Sequence, residues 1–176
     1  MKKVILTTLV ILSMAIGFAQ ISFKWQKVDS IPKTKAQIYS DTKMFIAEYW
    51  KSAQNIIQND DKKAGVILIK GESIVSKYFQ LNDHKWTYSY TVKFFFKEKK
   101  YKIVIENVRC VSAFCGTNPW PLVEACDTCK FPGIMKTSLN KERYTAVLLS
   151  LKSELQSIVD NYDKIIKTPN YSNGDW

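Results

Sequence analysis

Trp86–Lys97, with the sequence WTYSYTVKFFFK, carries the strongest β-strand pattern in this chain of 176 residues. Large apolar side chains occupy every second position, and threonine, serine or lysine stands between them, as in a strand with one buried face. Phe95 is the one exception to this alternation. A turn at Glu98–Lys99 leads into Tyr101–Glu106, which alternates in the same way. The two segments are therefore predicted to pair as an antiparallel hairpin.

Three segments upstream are predicted to extend this sheet. Val66–Ile69 is apolar throughout, Ile74–Phe79 is rich in β-branched and aromatic residues, and Ile21–Val28 alternates with a period of two. Gly71 is expected to place a bend or bulge between the first two of these segments. Leu81–Asp83 is expected to form the turn that follows them.

Two amphipathic helices are predicted to complete the fold. Thr34–Gln37 matches a capping box, in which the threonine and glutamine side chains satisfy free N–H groups at a helix start. Apolar residues then recur at helical spacing to the expected helix end near Gln58, and 59–65 is expected to be a turn. Tyr144–Ile165 repeats apolar residues at spacings of four and three. This element order predicts an α+β, two-layer domain with both helices on one face of the sheet.

Residues 1–19 match a secretory signal peptide. Lysines follow the initial methionine, Val4–Phe18 is mainly apolar, and small residues stand where a signal peptidase cleaves, so cleavage is expected at Ala19–Gln20. The apolar run of about 15 residues is shorter than the roughly 20 that a membrane-spanning helix needs. The sequence therefore predicts an exported protein, periplasmic or secreted, without stable membrane insertion after signal cleavage.

The composition predicts one basic globular domain. The chain is 46% hydrophobic and 24% charged, which suits a single domain over 20–168 with a flexible tail at 169–176. Lysine and arginine (26) outnumber aspartate and glutamate (16), giving a net charge of +10 that favours solubility and acidic partners. Nearly all the cations are lysine, and arginine stands only at Arg109 and Arg143. Because phosphate readers favour guanidinium groups, nucleic acid is not expected as a partner.

Several short stretches resemble the bacterial DUF4468 family. They carry the helix that starts at an Ile-Tyr pair, its exit sequence, the glycine-bounded strand and the aromatic hairpin with a lysine-rich turn: Gln37–Trp50, Ile56–Lys62, Gly65–Gly71, Tyr88–Val92 and Lys99–Lys102. The resemblance covers about 21–111 and implies a TBP-like fold, a curved antiparallel sheet covered on one face by two long helices. It also implies export from a Gram-negative bacterium, and it implies no catalytic residue and no cofactor. The chain departs from the family pattern at a loop with four cysteines.

This loop, 110–133, holds the four cysteines at the spacing C-x4-C-x10-C-x2-C: Cys110, Cys115, Cys126 and Cys129. In an exported protein, an even number of cysteines predicts two disulfides, and three pairings are open. A tetrathiolate zinc site is an alternative, although C-x4-C is looser than a zinc knuckle. A redox pair at Cys126 and Cys129 is another, although Phe131-Pro132-Gly133 prevents the helix start that would lower a thiol pKa.

The function predicted from these features is binding. The chain has no glycine-rich phosphate loop and no nucleophile-elbow motif, and its single histidine, His84, stands alone, so no catalytic residue, metal ligand or cofactor is assigned. A loop braced by disulfides would present Trp120 and Phe131 to a protein or small-molecule ligand in the bacterial envelope. The alternative function is a zinc-binding or thiol-redox envelope protein that uses the cysteine cluster.

Overall fold

The computed structural model describes residues 24–50, 53–79, 82–111, 120–121 and 138–169. Within these ranges the strands form one antiparallel sheet of order β1-β5-β4-β3-β2, with β6 beside β5. The strands are β1 Trp25–Ser30, β2 Ile57–Asp61, β3 Val66–Phe79, β4 Asn82–Lys97, β5 Lys100–Cys110 and β6 Trp120–Pro121. The helices are α1 Lys35–Tyr49, α2 Ala53–Ile56 and α3 Ser138–Lys167. The α+β class predicted from the sequence is confirmed.

The aromatic hairpin is confirmed as the pairing of β4 with β5. Lys97 stands opposite Lys100, and Lys99 in the turn adopts a left-handed φ of 57°. The register shifts between Ser89 and Thr91, where β5 carries an extra residue and Asn107 has a φ of 57°. This β-bulge lets β5 continue beyond the predicted strand end, and it changes which β5 side chains share a face with β4.

The predicted bend or bulge at Gly71 is wrong, because β3 is one continuous strand of 14 residues that pairs with β4 without a register shift. Gly71 lies inside this strand, directly opposite Tyr90 of β4. A Cβ atom at Gly71 would lie 2.5 Å from the Tyr90 ring, so the tyrosine ring occupies the space that a side chain would need. The glycine serves side-chain packing across the sheet rather than a bend in the chain.

The capping box at Thr34 and Gln37 is confirmed, but the predicted end of the first helix is wrong. The helix ends at Tyr49, and part of the predicted helix and turn is the edge strand β2, which pairs with β3. The sequence of β2, IQNDD, is polar, and four of its five residues are exposed. An edge strand with so few apolar residues has no period-two signal, so the pattern does not distinguish it from a continuation of the helix.

The core lies where the helices meet the aromatic face of β4. The centre of the Tyr162 ring of α3 lies 4.9 Å from the centre of the Phe94 ring and 5.4 Å from that of Tyr101. It lies 5.2 Å from the centre of the Phe45 ring of α1. Its hydroxyl is 2.9 Å from the Thr42 hydroxyl. The predicted α3 stripe is buried at Leu148, Leu151, Leu155, Ile158 and Tyr162. No helix in the described part is long and apolar enough to cross a membrane.

A group of ion pairs joins the edge strand β1 to α3. Asp163 is 2.8 Å from Lys27 of β1 and 2.9 Å from Lys167, and it accepts a hydrogen bond from the Tyr101 hydroxyl. Lys167 also lies 2.7 Å from Asp29. Burial alone would raise the pKa of Asp163, but the hydrogen bonds from Lys27, Tyr101 and Lys167 outweigh it and lower the pKa to about 2. Folding therefore stabilises the ionised form of this carboxyl group.

We expect acid to remove this contribution. A carboxyl group whose pKa is lowered by folding stabilises the fold above its unfolded pKa, about 4, and stops doing so as the pH falls towards 2. Asp163→Asn should therefore lose less stability than the unsubstituted protein between pH 4 and pH 2, as measured by urea unfolding at several pH values. Asp160→Asn, at an exposed position of the same helix, is the control and should keep the original acid sensitivity. Equal pH profiles for Asp163→Asn and the unsubstituted protein would contradict this role.

Candidate functional site

An open groove of about 810 Å³ crosses the sheet around Gly71. Aromatic and aliphatic side chains from the end of α1, α2 and β4 form part of its lining. The polar part comes from alternate positions of three neighbouring strands: Lys70, Glu72, Ser89, Thr91, Asn107 and Arg109. An open groove that combines apolar surface with a few polar groups is the usual form of a ligand site.

The strand register arranges five of the polar side chains in two rows across the sheet. Lys70 stands opposite Thr91, and Glu72 stands opposite Ser89, which in turn stands opposite Arg109. The last pairing depends on the β-bulge, because without the extra residue the partner of Ser89 would be one position earlier in β5. A shift of one residue exchanges the two faces of a strand. The bulge therefore places Arg109 on the same face as Ser89.

Lys70 and Arg109 are two cations of this groove that have no polar partner among the residues the structure describes. Lys70 and Arg109 are exposed, and neither side chain forms a hydrogen bond or an ion pair within the described ranges. The neighbouring Lys93 differs, because its ammonium group is paired with Glu106. A cation that is not already paired can bind an arriving anion without first losing a hydrogen bond or an ion pair inside the protein.

The aromatic residues that border the groove lie on the helix-covered face of the sheet, because Tyr90 alternates along β4 with Ser89 and Thr91. Tyr49 and Trp50 are half-buried, with ring centres 4.6 Å apart. Tyr90 is only 3% exposed and accepts a hydrogen bond of 3.3 Å from Ser73 Oγ. Burial raises the pKa of Tyr90, against hydrogen bonds from Ser73 and Trp50 that lower it. Tyr90 is also a member of the core cluster, so its ring packs on the helix-covered face.

The described residues cover only part of the binding loop predicted from the sequence. Cys110 is 6% exposed at the end of β5, and no cysteine within the described ranges is free. The other three cysteines and Phe131 lie outside those ranges, as do the predicted signal peptide and the part of the predicted tail beyond Pro169. Trp120 belongs to β6, where its backbone stands opposite Cys110. The cysteine pairing and the roles of Trp120 and Phe131 stay predictions.

The described ranges hold no group of three or more His, Cys, Asp or Glu side chains that could bind a metal ion. The groove itself was missed by sequence reasoning, because its polar side chains are far apart along the chain and are joined only by strand register. One signal was available. Gly71 follows an apolar strand segment, and a glycine inside a strand often marks the close approach of another group.

Comparison with known proteins identifies the family. Residues 25–110 match the family described as a domain of unknown function (DUF4468) with TBP-like fold. A crystal structure of a DUF4468 family protein from Bacteroides ovatus ATCC 8483 is similar, with a TM-score of 0.59 and 19% identity, covering 88% of this chain and 92% of that chain. A TBP-like protein from Parabacteroides distasonis ATCC 8503 has a TM-score of 0.54 and 12% identity, covering 83% of this chain and 96% of that chain.

None of the curated proteins matches the sequence of this chain. At such low identities, the two structural similarities show the fold alone. They agree with the family match in placing an open antiparallel sheet with helices in a TBP-like arrangement. The resemblance noted in the sequence is confirmed: residues 25–110 of this chain form a domain that matches the DUF4468 family.

Proposed function

We propose that this domain is an exported, non-enzymatic binding module of the bacterial envelope that holds an acidic ligand in the groove around Gly71. In this proposal α1 and α3 cover one face of a curved, two-layer arrangement, and the polar rows of the other face meet the ligand. The observation that carries it is the pair of exposed cations, Lys70 and Arg109, which lack polar partners in the described ranges and line one groove.

The chemistry of the groove favours a carboxylate or a phosphate. A guanidinium group such as that of Arg109 can donate two parallel hydrogen bonds to either anion, and a lysine adds a second positive charge. The hydroxyl groups of Ser89 and Thr91 stand in the strand between the two cations and can donate to the same ligand. The Glu72 carboxylate would repel a ligand that is negatively charged over its whole surface. We therefore expect a ligand with discrete acidic groups.

The predicted binding loop is compatible with this site. β6 pairs with β5 at Arg109 and Cys110, so the chain returns from the loop to the sheet beside a groove residue. Two disulfides among the four cysteines would brace the loop 110–133 at that position. In this proposal Trp120 and Phe131 add contacts to a ligand that Lys70 and Arg109 hold through charge.

The proposal is tested with the protein from residue 20 onwards and with defined probes. Isothermal titration calorimetry would compare oligogalacturonate and tripolyphosphate with an uncharged galactan. We expect an acidic probe to bind, and Lys70→Gln/Arg109→Gln to weaken it about 10- to 100-fold, since hydrogen bonds to charged groups contribute about 1.5–3 kcal/mol. The matched control is Lys24→Gln/Lys164→Gln, which removes the same charge from exposed positions outside the groove. Equal losses in both variants, or no preference for an acidic probe, would contradict the proposal.

A further inference from the structure

A second, separate cleft lies at the end of the sheet that carries the lysine-rich turn. It has a volume of about 350 Å³ and is open to solvent. One row of side chains across four strands forms its floor, because Val28 of β1 stands opposite Lys102, Lys102 opposite Phe95, and Phe95 opposite Val66. Lys97 and Lys100 line its rim. We call it the turn cleft.

The floor of the turn cleft leaves apolar surface in contact with water. Val28 is 49% exposed, and Phe95 and Val66 are half-buried. Phe95 is the residue that breaks the alternation of β4, so a large aromatic side chain stands on the side of this strand that otherwise carries threonine, serine and lysine. The core does not require Phe95, because Phe94 and Phe96 on either side of it are the buried residues.

The rim carries two lysine side chains that form no stabilising polar contact with the described part of the chain. Lys97 and Lys100 stand directly opposite each other, are exposed, and form no ion pair or hydrogen bond through their side chains in the described part of the chain. Like charges at directly opposite positions of a sheet destabilise the pairing. The Lys102 ammonium group lies 6.0 Å from the Phe95 ring centre, so a third cation stands at the floor.

Hydrogen bonds hold the walls of the turn cleft in place. Phe96 N donates to Gly65 O at 2.9 Å, and Gly65 N donates to Asp61 O at 2.8 Å. On the other side, Ile31 N donates to Lys99 O, and Lys99 N donates to Lys33 O, both at 3.0 Å. Gly65 has a φ of 78°, and a Cβ atom there would collide with the Phe96 carbonyl oxygen. Both turns are therefore fixed, and the cleft is formed before any ligand arrives.

We infer that the turn cleft binds an anionic amphiphile, a molecule with a carboxylate or phosphate head and an alkyl chain. The head pairs with Lys97 and Lys100, which also relieves their mutual repulsion. The chain lies along Val28, Phe95 and Val66. An inorganic anion would leave the apolar floor uncovered, and an uncharged apolar ligand would leave the opposed lysines unpaired. This site is independent of the groove around Gly71, since the two share no lining residue.

Decanoate below its micelle concentration is the probe, compared with 1-decanol and with inorganic phosphate, by calorimetry and by amide chemical shifts. We expect decanoate to bind more tightly than either, with shifts centred on 64–66 and 95–102. Across hexanoate, octanoate and decanoate, each added methylene that is buried should tighten binding up to about fourfold. Binding no tighter than that of decanol or phosphate, or shifts centred elsewhere, would overturn the inference.

Variants separate the two parts of the cleft. Lys97→Gln/Lys100→Gln should weaken decanoate binding at least tenfold and leave decanol unchanged, whereas Phe95→Thr should weaken both. Because the double variant removes a like-charge pair, we expect its stability to be equal or higher, so a loss of binding would not reflect unfolding. The charge-matched control Lys24→Gln/Lys164→Gln and the groove variant Arg109→Gln should leave decanoate binding unchanged. A loss of similar size in either would overturn the inference, as would binding only to anionic vesicles and not to the monomeric probe.

Discussion

Replacing Tyr162 with alanine is expected to lower the free energy of unfolding by about 3–5 kcal/mol, the range for truncating a large buried aromatic side chain. The Tyr162 side chain is fully buried, and its ring contacts the rings of Phe45, Phe94 and Tyr101. Its removal would leave a cavity between both long helices and the sheet. Urea unfolding followed by circular dichroism measures the change, with the loss seen as a lower midpoint.

Tyr162→Phe is the matched control for this prediction. It keeps the ring and removes only the hydroxyl, which lies 2.9 Å from the Thr42 hydroxyl. Thr42 retains its hydrogen bond to the Ile38 carbonyl oxygen, so the loss should stay at about 0.5–1.5 kcal/mol. A cost below about 1 kcal/mol for the alanine variant would contradict the central position of Tyr162 in the core.

Replacing Lys33 with methionine is expected to cost about 3–5 kcal/mol, because it leaves one member of a buried ion pair behind. Lys33 Nζ lies 2.6 Å from Asp41, whose side chain is 2% exposed, and it also donates to the Thr168 carbonyl oxygen at the end of α3. The Asp41 carboxyl group would then lie buried without this cation. Urea unfolding near neutral pH measures the cost.

Helix α1, which carries Asp41, also carries Lys43, whose surface ion pair serves as the matched control. Lys43 Nζ lies 2.7 Å from Asp60, at nearly the same distance, but these side chains are 37% and 28% exposed. Lys43→Met should therefore cost only about 0–1 kcal/mol. The double variant Lys33→Met/Asp41→Leu should recover part of the loss, because neither charge is then buried alone. Equal costs for Lys33→Met and Lys43→Met would show that burial of the pair is unimportant.

Local pattern predicted the parts of this fold that depend on local geometry. The sequence predicted the alternation in β4 and β5, the capping box at Thr34 and the apolar stripe of α3, because strand and helix periods are properties of neighbouring residues. The edge strand β2 could not be predicted from the sequence. Its backbone is held by pairing with β3, and its polar side chains carry no period of their own.

Both candidate binding surfaces depend on register between strands that are distant in sequence. Two strand pairings and a bulge place Lys70 and Arg109 at one groove. Their spacing along the chain does not indicate that arrangement. Phe95 and Gly71 were visible as exceptions to a pattern. Only the structure showed that the first forms the floor of a cleft and that the second makes room for a tyrosine ring.

The amino-acid sequence alone was sufficient for the α+β class, the aromatic hairpin, the final helix and the family resemblance, because each rests on local period or on short motifs. The tertiary structure was needed for the continuous β3, for Arg109 on the polar face and for the two lysines that stand opposite each other at the turn, without a polar partner among the described residues. Those features arise from pairing between strands, where one extra residue at Asn107 changes the face on which every later side chain lies.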